Sequence, residues 1–84
     1  MALAELLESA ELLEYVARRL VDDADAVRVE QEEHEDALVL RLHVAGDDVG
    51  KVIGRQGRIA RALRTVVRAS ATGSDRRVLV EIAD

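Results

Sequence analysis

The hydrophobic residues change their spacing along the 84-residue chain, from every third or fourth residue to every second residue and back again. The spacing of three and four predicts amphipathic helices over residues 2–21, 49–53 and 59–70. Strict alternation predicts half-buried strands over residues 26–33, 37–44 and 78–82. Three helices packed on one face of a three-stranded sheet would bury every apolar stripe. The sequence therefore predicts one α+β domain over residues 1–84, in the order helix, strand, strand, helix, helix, strand.

Turn and cap residues support this division. The acidic segment 32–36 predicts an antiparallel hairpin turn between the first two strands. Residues 46–48 are N-cap candidates for the next helix, and Gly73 is a candidate stop for the last helix. The expected apolar face of that last helix consists of Ile59, Ala62, Leu63, Val66, Ala69 and Ser70.

The composition excludes several kinds of site. There is no cysteine, which excludes a disulfide scaffold, a thiolate metal site and a cysteine nucleophile. No apolar run approaches the roughly 20 residues that span a bilayer, and residues 1–5 lack the basic region of a signal peptide. His34 and His43 have no second histidine at ligand spacing. We therefore expect a cytoplasmic protein with no metal, no cofactor and no enzymatic activity.

The net charge of −5 conceals an uneven distribution. Residues 1–48 carry 14 acidic and 4 basic side chains, whereas residues 49–84 carry 8 basic and 3 acidic ones. An acidic protein of this kind can present a basic face to a polyanion. A distribution that serves only solubility is the alternative explanation, so charge alone does not identify a partner.

The most informative segment is 49–59, in which Gly54 and Gly57 enclose Arg55 and Gln56. The glycines permit a tight turn between two helices and let a phosphodiester approach the backbone closely. The N–H groups at the start of the following helix favour anions, and Arg55 and Gln56 must point outward. The segment predicts a phosphate clamp. Because Gly-x-x-Gly is common, an ordinary joint between helices is the alternative.

The run Val-Ile-Gly-Arg-Gln-Gly-Arg-Ile at 52–59, in this order of elements, resembles the KH domain of the type II topology. The longer run 50–67 is similar to the small bacterial stand-alone KH-domain RNA-binding proteins of the KhpA type, and the resemblance covers nearly the whole chain. It implies a loop that clamps about four nucleotides of a single strand, in a regulatory or chaperone-like protein. It also implies pairing with a second copy or with a larger KH-containing RNA-binding protein.

Carried over residue by residue, the resemblance implies an RNA-binding site made of Lys51, Val52, Ile53, Gly54, Arg55, Gln56, Gly57, Arg58 and Ile59. Arg55 and Gln56 would face the sugar-phosphate backbone, and the two cations at 51 and 58 would flank the clamp. Val52, Ile53 and Ile59 would line or support an apolar floor for the bases. Ile53 and Ile59 fit equally well in the core, and the lysine also fits as a solvated helix residue.

Three further arginines, Arg61, Arg64 and Arg68, share one helix face with Arg58. Such a basic stripe would attract nucleic acid at long range, but only its first turn is near the loop. The distal arginines fit a solvated face or a partner-binding face better than direct RNA contact.

Tyr15 is the only aromatic residue, so the chain lacks the platforms on which RRM and OB folds stack bases. A KH groove can hold bases on aliphatic side chains. Because stacking contributes about 1–3 kcal/mol per base, a site without it should bind modestly, which favours a second KH unit nearby. The leading hypothesis is a single-stranded RNA-binding module. The alternative is a protein-interaction module with a KH fold and vestigial RNA binding.

Overall fold

The computed structural model describes residues 9–71 and 77–83, and these follow the predicted order of elements. The helices are α1 (Ser9–Leu20), α2 (Val49–Ile53) and α3 (Arg58–Ser70). The strands are β1 (Arg28–Glu33), β2 (Ala37–His43) and β3 (Arg77–Ile82). Short 3-10 turns precede β1, α2 and α3 at Ala24–Ala26, Gly46–Asp48 and Arg55–Gly57. Within the described ranges, no helix combines the length and the apolar composition that a bilayer crossing requires.

Some predicted boundaries differ from the structure. The first strand begins at Arg28 rather than at residue 26, because the chain makes a 3-10 turn over Ala24–Ala26 before it extends. The predicted beginning of the first helix at residues 2–8 and the predicted stop at Gly73 lie outside the described residues.

The sheet has the strand order β1-β2-β3. The hairpin of β1 and β2 is antiparallel, as predicted. Its turn is shorter than the acidic segment, because Glu32 and Glu33 belong to the ladder and the N–H of His34 donates to the carbonyl of Ala37 at 2.8 Å. β3 pairs with β2 in parallel. A parallel partner requires a crossover, and α2 and α3 with the turn between them supply it.

The helices cover one face of the sheet, and the core lies between the two layers. Leu40 and Leu42 of β2 and Val52 of α2 are fully buried. The other core side chains come mainly from α1, α3 and β3 and are Ala10, Leu13, Ala17, Val27, Leu63, Val67, Val78 and Val80. The opposite face carries charged side chains, where Arg41 lies 3.2 Å from Glu81. The predicted two-layer α+β arrangement is confirmed.

The buried face of α3 differs from the prediction. The predicted apolar face included three residues that the structure exposes, Ala62, Val66 and Ala69. The buried row is Ala60, Leu63 and Val67 instead, and Val66 is 42% exposed. Both rows have a spacing of three and four, so the pattern alone does not separate them. Packing on the sheet selects the row centred on Leu63, which leaves Ala62, Val66 and Ala69 as an exposed apolar row.

Candidate nucleic-acid interface

The Gly54–Gly57 loop joins α2 to α3 through a sharp change of backbone direction. Gly54 has φ 75° and ψ 173°, and Gly57 has φ 73° and ψ 15°. Between them, Gln56 has φ 58° and is the one non-glycine residue with a positive φ in the described chain. Positive φ is unfavourable for residues with a Cβ. The tight glycine turn expected from the sequence is therefore present.

Gly54 faces inward. A Cβ built at this position would lie 2.9 Å from Cβ of Ile59 and 3.0 Å from its backbone nitrogen. The backbone angles of Gly54 also fall in a region that essentially only glycine occupies. Gly54 is therefore needed for Ile59, the second residue of α3, to pack against the end of α2.

Gly57 faces outward. The nearest described atom that its Cβ would meet is Nη2 of Arg61, at 4.0 Å. Gly57 is also the N-cap of α3, and it provides no side-chain hydrogen bond to the first turn. The N–H groups of Gly57 and Arg58 donate within the turn, to the carbonyl oxygens of Gly54 at 3.2 Å and of Arg55. The positive end of the helix dipole favours an anion at this point. The missing side chain leaves the backbone accessible to a phosphate group.

Exposed polar and cationic side chains surround the loop. Arg55 and Gln56 are exposed, as predicted, and Arg58 is exposed as well. Nη2 of Arg58 donates to Oε1 of Gln56 at 3.3 Å, and Nη2 of Arg61 donates to the Gln56 carbonyl oxygen at 3.1 Å. Arg61 therefore reaches back over the loop, a placement that the sequence left open. Because its guanidinium binds this carbonyl oxygen, one acceptor of the loop is satisfied within the protein.

The distal arginines of α3 are directed elsewhere. Nε of Arg64 donates to the carbonyl oxygen of Val80 in β3 at 3.3 Å, and this side chain is partly buried. Arg68 is exposed, about two turns beyond Arg61. The basic stripe is therefore divided, and Arg58 and Arg61 are the members that contact loop atoms.

The three apolar residues predicted to form a floor differ in burial. Val52 is 0% exposed and belongs to the core, so it can only support such a floor from beneath. Ile53 and Ile59 are partly buried, and Ile59 packs against the core cluster. Ile59 therefore reaches the surface beside the loop while it contributes to the core, and Ile53 is partly buried at the end of α2.

Lys51, predicted to flank the loop, is held by two carboxylates. Its Nζ lies 3.1 Å from Oδ1 of Asp48 and also contacts a carboxylate oxygen of Asp22. Asp48 is 2% exposed. Its oxygens accept hydrogen bonds from the N–H groups of Asp22 at 3.3 Å and Asp23 at 3.0 Å. The side chains of Asp22, Asp48 and Lys51 form the Asp48 clasp.

The prediction of an N-cap within residues 46–48 is confirmed in position, because Asp48 directly precedes α2 as its N-cap. Asp48 occupies the N-cap position of α2 but makes no capping hydrogen bond, because its carboxylate binds the segment after α1. The hydrogen bond from the N–H of Asp23 lowers the pKa of Asp48 from its ordinary 3.8, and Lys51 lowers it further. Burial of the carboxylate partly opposes this shift. The hydrogen bond to Asp22, followed by that to Asp48, raises the pKa of Lys51 above 10.5.

The two histidines pair with glutamates of the hairpin. Nε2 of His34 lies 2.9 Å from a carboxylate oxygen of Glu32, and His43 contacts Glu30. In the part of the chain that the structure describes, no group of three or more His, Cys, Asp and Glu side chains could hold a metal ion.

Most of the chain is similar to one family of known proteins. Residues 10–82 match the family described as KhpA/KhpB, KH domain. RNA-binding protein KhpA of Clostridium acetobutylicum is 51% identical over 72 residues, which cover 86% of this chain and 96% of that protein. RNA-binding protein KhpA of Treponema pallidum is 53% identical over 74 residues, which cover 88% of this chain and 92% of that protein.

Two solved structures share the fold. A crystal structure of Aquifex aeolicus Era matches with a TM-score of 0.64 at 19% identity, covering 98% of this chain and 31% of the Era chain. A crystal structure of Era in complex with nucleotides of 16S ribosomal RNA matches with a TM-score of 0.63 at 19% identity, covering 98% of this chain and 30% of that one. At this identity the likeness concerns the fold alone.

Proposed function

The chain belongs to the KhpA/KhpB family of KH domains, and we propose that it binds single-stranded RNA by clamping the phosphate backbone with the Gly54–Gly57 loop. The α+β KH fold of type II topology expected from the sequence is confirmed by this membership and by the observed order of elements. The relatives from Clostridium acetobutylicum and Treponema pallidum are named as RNA-binding proteins. Their names support the same function for this chain.

The observation that carries the proposal is an open glycine backbone next to exposed cations at the start of α3. Among the described atoms, a Cβ at Gly57 would meet only Nη2 of Arg61 within 4 Å, so a phosphodiester has room to reach the backbone. Arg55 and Arg58 are exposed on either side. Hydrogen bonds from guanidinium and backbone N–H groups to phosphate oxygens are charge-assisted and comparatively strong.

The residues of the proposed site, 51–59, have unequal roles. Arg55, Gln56 and Arg58 face the phosphates. Ile53 and Ile59, which are partly buried, offer aliphatic surface to the bases, with Val52 beneath them. A KH loop holds about four nucleotides in this way.

A second KH unit is part of the proposal. The chain has one aromatic residue, and a site without stacking platforms binds modestly. Pairing two sites raises the effective concentration of the second one. The exposed apolar row of Ala62, Val66 and Ala69 on α3 supports pairing with a second copy or with a larger KH-containing RNA-binding protein.

The proposed role is regulatory or chaperone-like rather than catalytic. The relatives are named for RNA binding and not for a reaction. The proposed location is the cytoplasm.

Replacing Arg55 and Gln56 together by Asp tests the proposal. Both side chains are exposed, and Asp tolerates the left-handed backbone at position 56 better than most residues do. The circular dichroism spectrum and the melting temperature should therefore change little. Because two carboxylates would face the phosphates, affinity for a short unstructured RNA should fall at least about tenfold, which is about 1.4 kcal/mol. Fluorescence anisotropy measures it, with duplex RNA and single-stranded DNA as comparison ligands.

The double variant Thr65→Asp with Arg68→Asp is the matched control. It changes the net charge by the same amount at two exposed positions of α3 away from the loop. It should weaken RNA binding less than the loop variant does. A folded loop variant that binds RNA like the wild-type protein rejects the clamp and favours the protein-interaction alternative.

A further inference from the structure

The Asp48 clasp lies at the opposite end of α2 from the Gly54–Gly57 loop. Asp48 directly precedes α2, and Gly54 directly follows it. A helix of five residues has no independent stability, so its position depends on tertiary contacts. Val52, fully buried, anchors one side of α2 in the core. The clasp anchors its start to the segment that follows α1.

The hydrogen bonds of Asp48 make this attachment specific. Both of its carboxylate oxygens are used, Oδ1 by the N–H of Asp22 and by Lys51 and Oδ2 by the N–H of Asp23. These N–H groups lie 25 and 26 residues away in sequence. A rotation or slide of α2 would break them, and the same motion would displace Gly54.

The charge of Lys51 is already compensated within the clasp. Its ammonium contacts two carboxylates, those of Asp48 and Asp22. A phosphate could reach it only in competition with them. The guanidinium of Arg55, by contrast, is exposed and makes no hydrogen bond or ion pair with any described residue. Two cations four residues apart therefore differ in what they can offer a ligand.

We propose that Asp48 and Lys51 are positioning residues for RNA binding: the clasp holds α2 so that the Gly54–Gly57 loop presents its backbone correctly, and Lys51 is not a phosphate ligand. This inference rests on the proposed function and separates Lys51 from the other residues of the site.

Asp48→Asn, compared with Asp47→Asn, tests the positioning role. Both variants remove one negative charge, but the Asp47 carboxylate is exposed and has no partner among the described residues. An Asn amide at position 48 must place a donor against an N–H group or against Lys51. If these acids only repel RNA, both variants tighten binding. The clasp predicts instead that Asp48→Asn weakens RNA binding at least about threefold, because a displaced loop loses charge-assisted hydrogen bonds to the phosphates. Binding is measured well below the melting temperature of the variant.

Lys51→Met, compared with Arg55→Met, tests whether the lysine meets a phosphate. Each phosphate contact to a single strand contributes about −0.7 to the slope of log K against log salt. We expect Arg55→Met to reduce the slope by about that amount with an unchanged melting temperature. Lys51→Met should leave the slope unchanged and lower the melting temperature. A slope reduced by Lys51→Met as much as by Arg55→Met overturns the inference. This comparison also stands if Asp48→Asn does not fold.

A failure of the proposed function would be recognised separately. If the wild-type protein binds no single-stranded RNA, the RNA-binding proposal fails. The positioning role of the clasp is then tested by NMR, from the amide chemical shifts of Gly54 and Gly57 in the protein without RNA. Asp48→Asn should move both and Asp47→Asn neither, and unmoved resonances in Asp48→Asn reject the clasp as a positioning device.

Discussion

The two ends of α2 use charge in opposite ways. At its start, the Asp48 clasp joins a buried carboxylate to an ammonium group and to backbone N–H groups, so its charges satisfy one another. At its end, Arg55 is exposed, and the N-cap of α3 is Gly57, which has no side chain with which to cap the first turn. Lys51 and Arg55 are four residues apart, yet only Arg55 is free to bind a phosphate. The partners that the fold brings to each cation determine this difference.

The same contrast divides the two loop glycines. Gly54 is needed because Ile59 fills the space where a side chain would lie. At Gly57 the nearest described atom that a Cβ would meet is Nη2 of Arg61, at 4.0 Å, so the fold requires little of this glycine beyond its backbone angles. Gly54 therefore serves the fold, and Gly57 serves the proposed ligand.

Gly54→Ala should have the largest effect. The new Cβ overlaps Ile59, and overpacking of about 1–3 kcal/mol adds to backbone strain of about 1–3 kcal/mol. We expect the free energy of unfolding to fall by about 3 kcal/mol or more, measured by urea denaturation. A variant that unfolds at the wild-type urea concentration would show that Gly54 does not hold the two helices together.

Gly57→Asn should separate binding from stability. Asn tolerates a left-handed helix boundary, so the stability loss should stay below about 1 kcal/mol. The side chain would occupy the path of the phosphate, and RNA affinity should fall at least about threefold, or about 0.7 kcal/mol. Gly46→Asn, at another glycine with open surroundings, is the control and should bind normally. Normal binding by Gly57→Asn would place the phosphate elsewhere.

The wild-type protein should bind RNA with moderate salt dependence. Contact with about 3–4 phosphates predicts a slope of roughly −2 to −3 for log K against log salt. Arg64→Gln should leave this slope unchanged, because the Arg64 guanidinium is directed to Val80 in β3. Affinities measured at several salt concentrations give both slopes. A wild-type affinity that ignores salt contradicts the clamp, and a smaller slope in Arg64→Gln would extend the RNA path along α3.

The smallest effect concerns pH. Because the pKa of Asp48 is lowered in the folded state, its contribution to stability is present above the unfolded pKa of about 4 and is lost as pH falls through the lower folded value. When the pH is lowered from about 6 to about 3, the melting temperature of Asp48→Asn should therefore fall less than that of the wild-type protein. Asp47→Asn should follow the wild-type protein. Parallel curves for all three proteins would exclude an acid-sensitive clasp.

The sequence predicted what depends on local pattern. The alternation at Val78, Val80 and Ile82 identified the buried face of β3, and the spacing of Gly54 and Gly57 identified the turn between helices. Both features repeat along a few neighbouring residues, so a single sequence reveals them.

What the sequence did not predict depends on contacts between distant segments. The rotation of α3 is set by packing on the sheet, since the rows containing Val66 and Val67 have the same spacing. The two N–H groups that donate to the Asp48 carboxylate lie 25 and 26 residues earlier in the chain. A capping position was visible in the sequence, but nothing local shows that the carboxylate turns away from its own helix.

The most direct test of the central claim is an NMR titration of isotope-labelled protein with a short unstructured RNA. The account predicts that the largest amide shift changes occur at residues 54–58, with small changes at Arg68 and on the open sheet face around Arg41. Changes concentrated on that sheet face or on the exposed row from Ala62 to Ala69, with the loop amides unmoved, would contradict it.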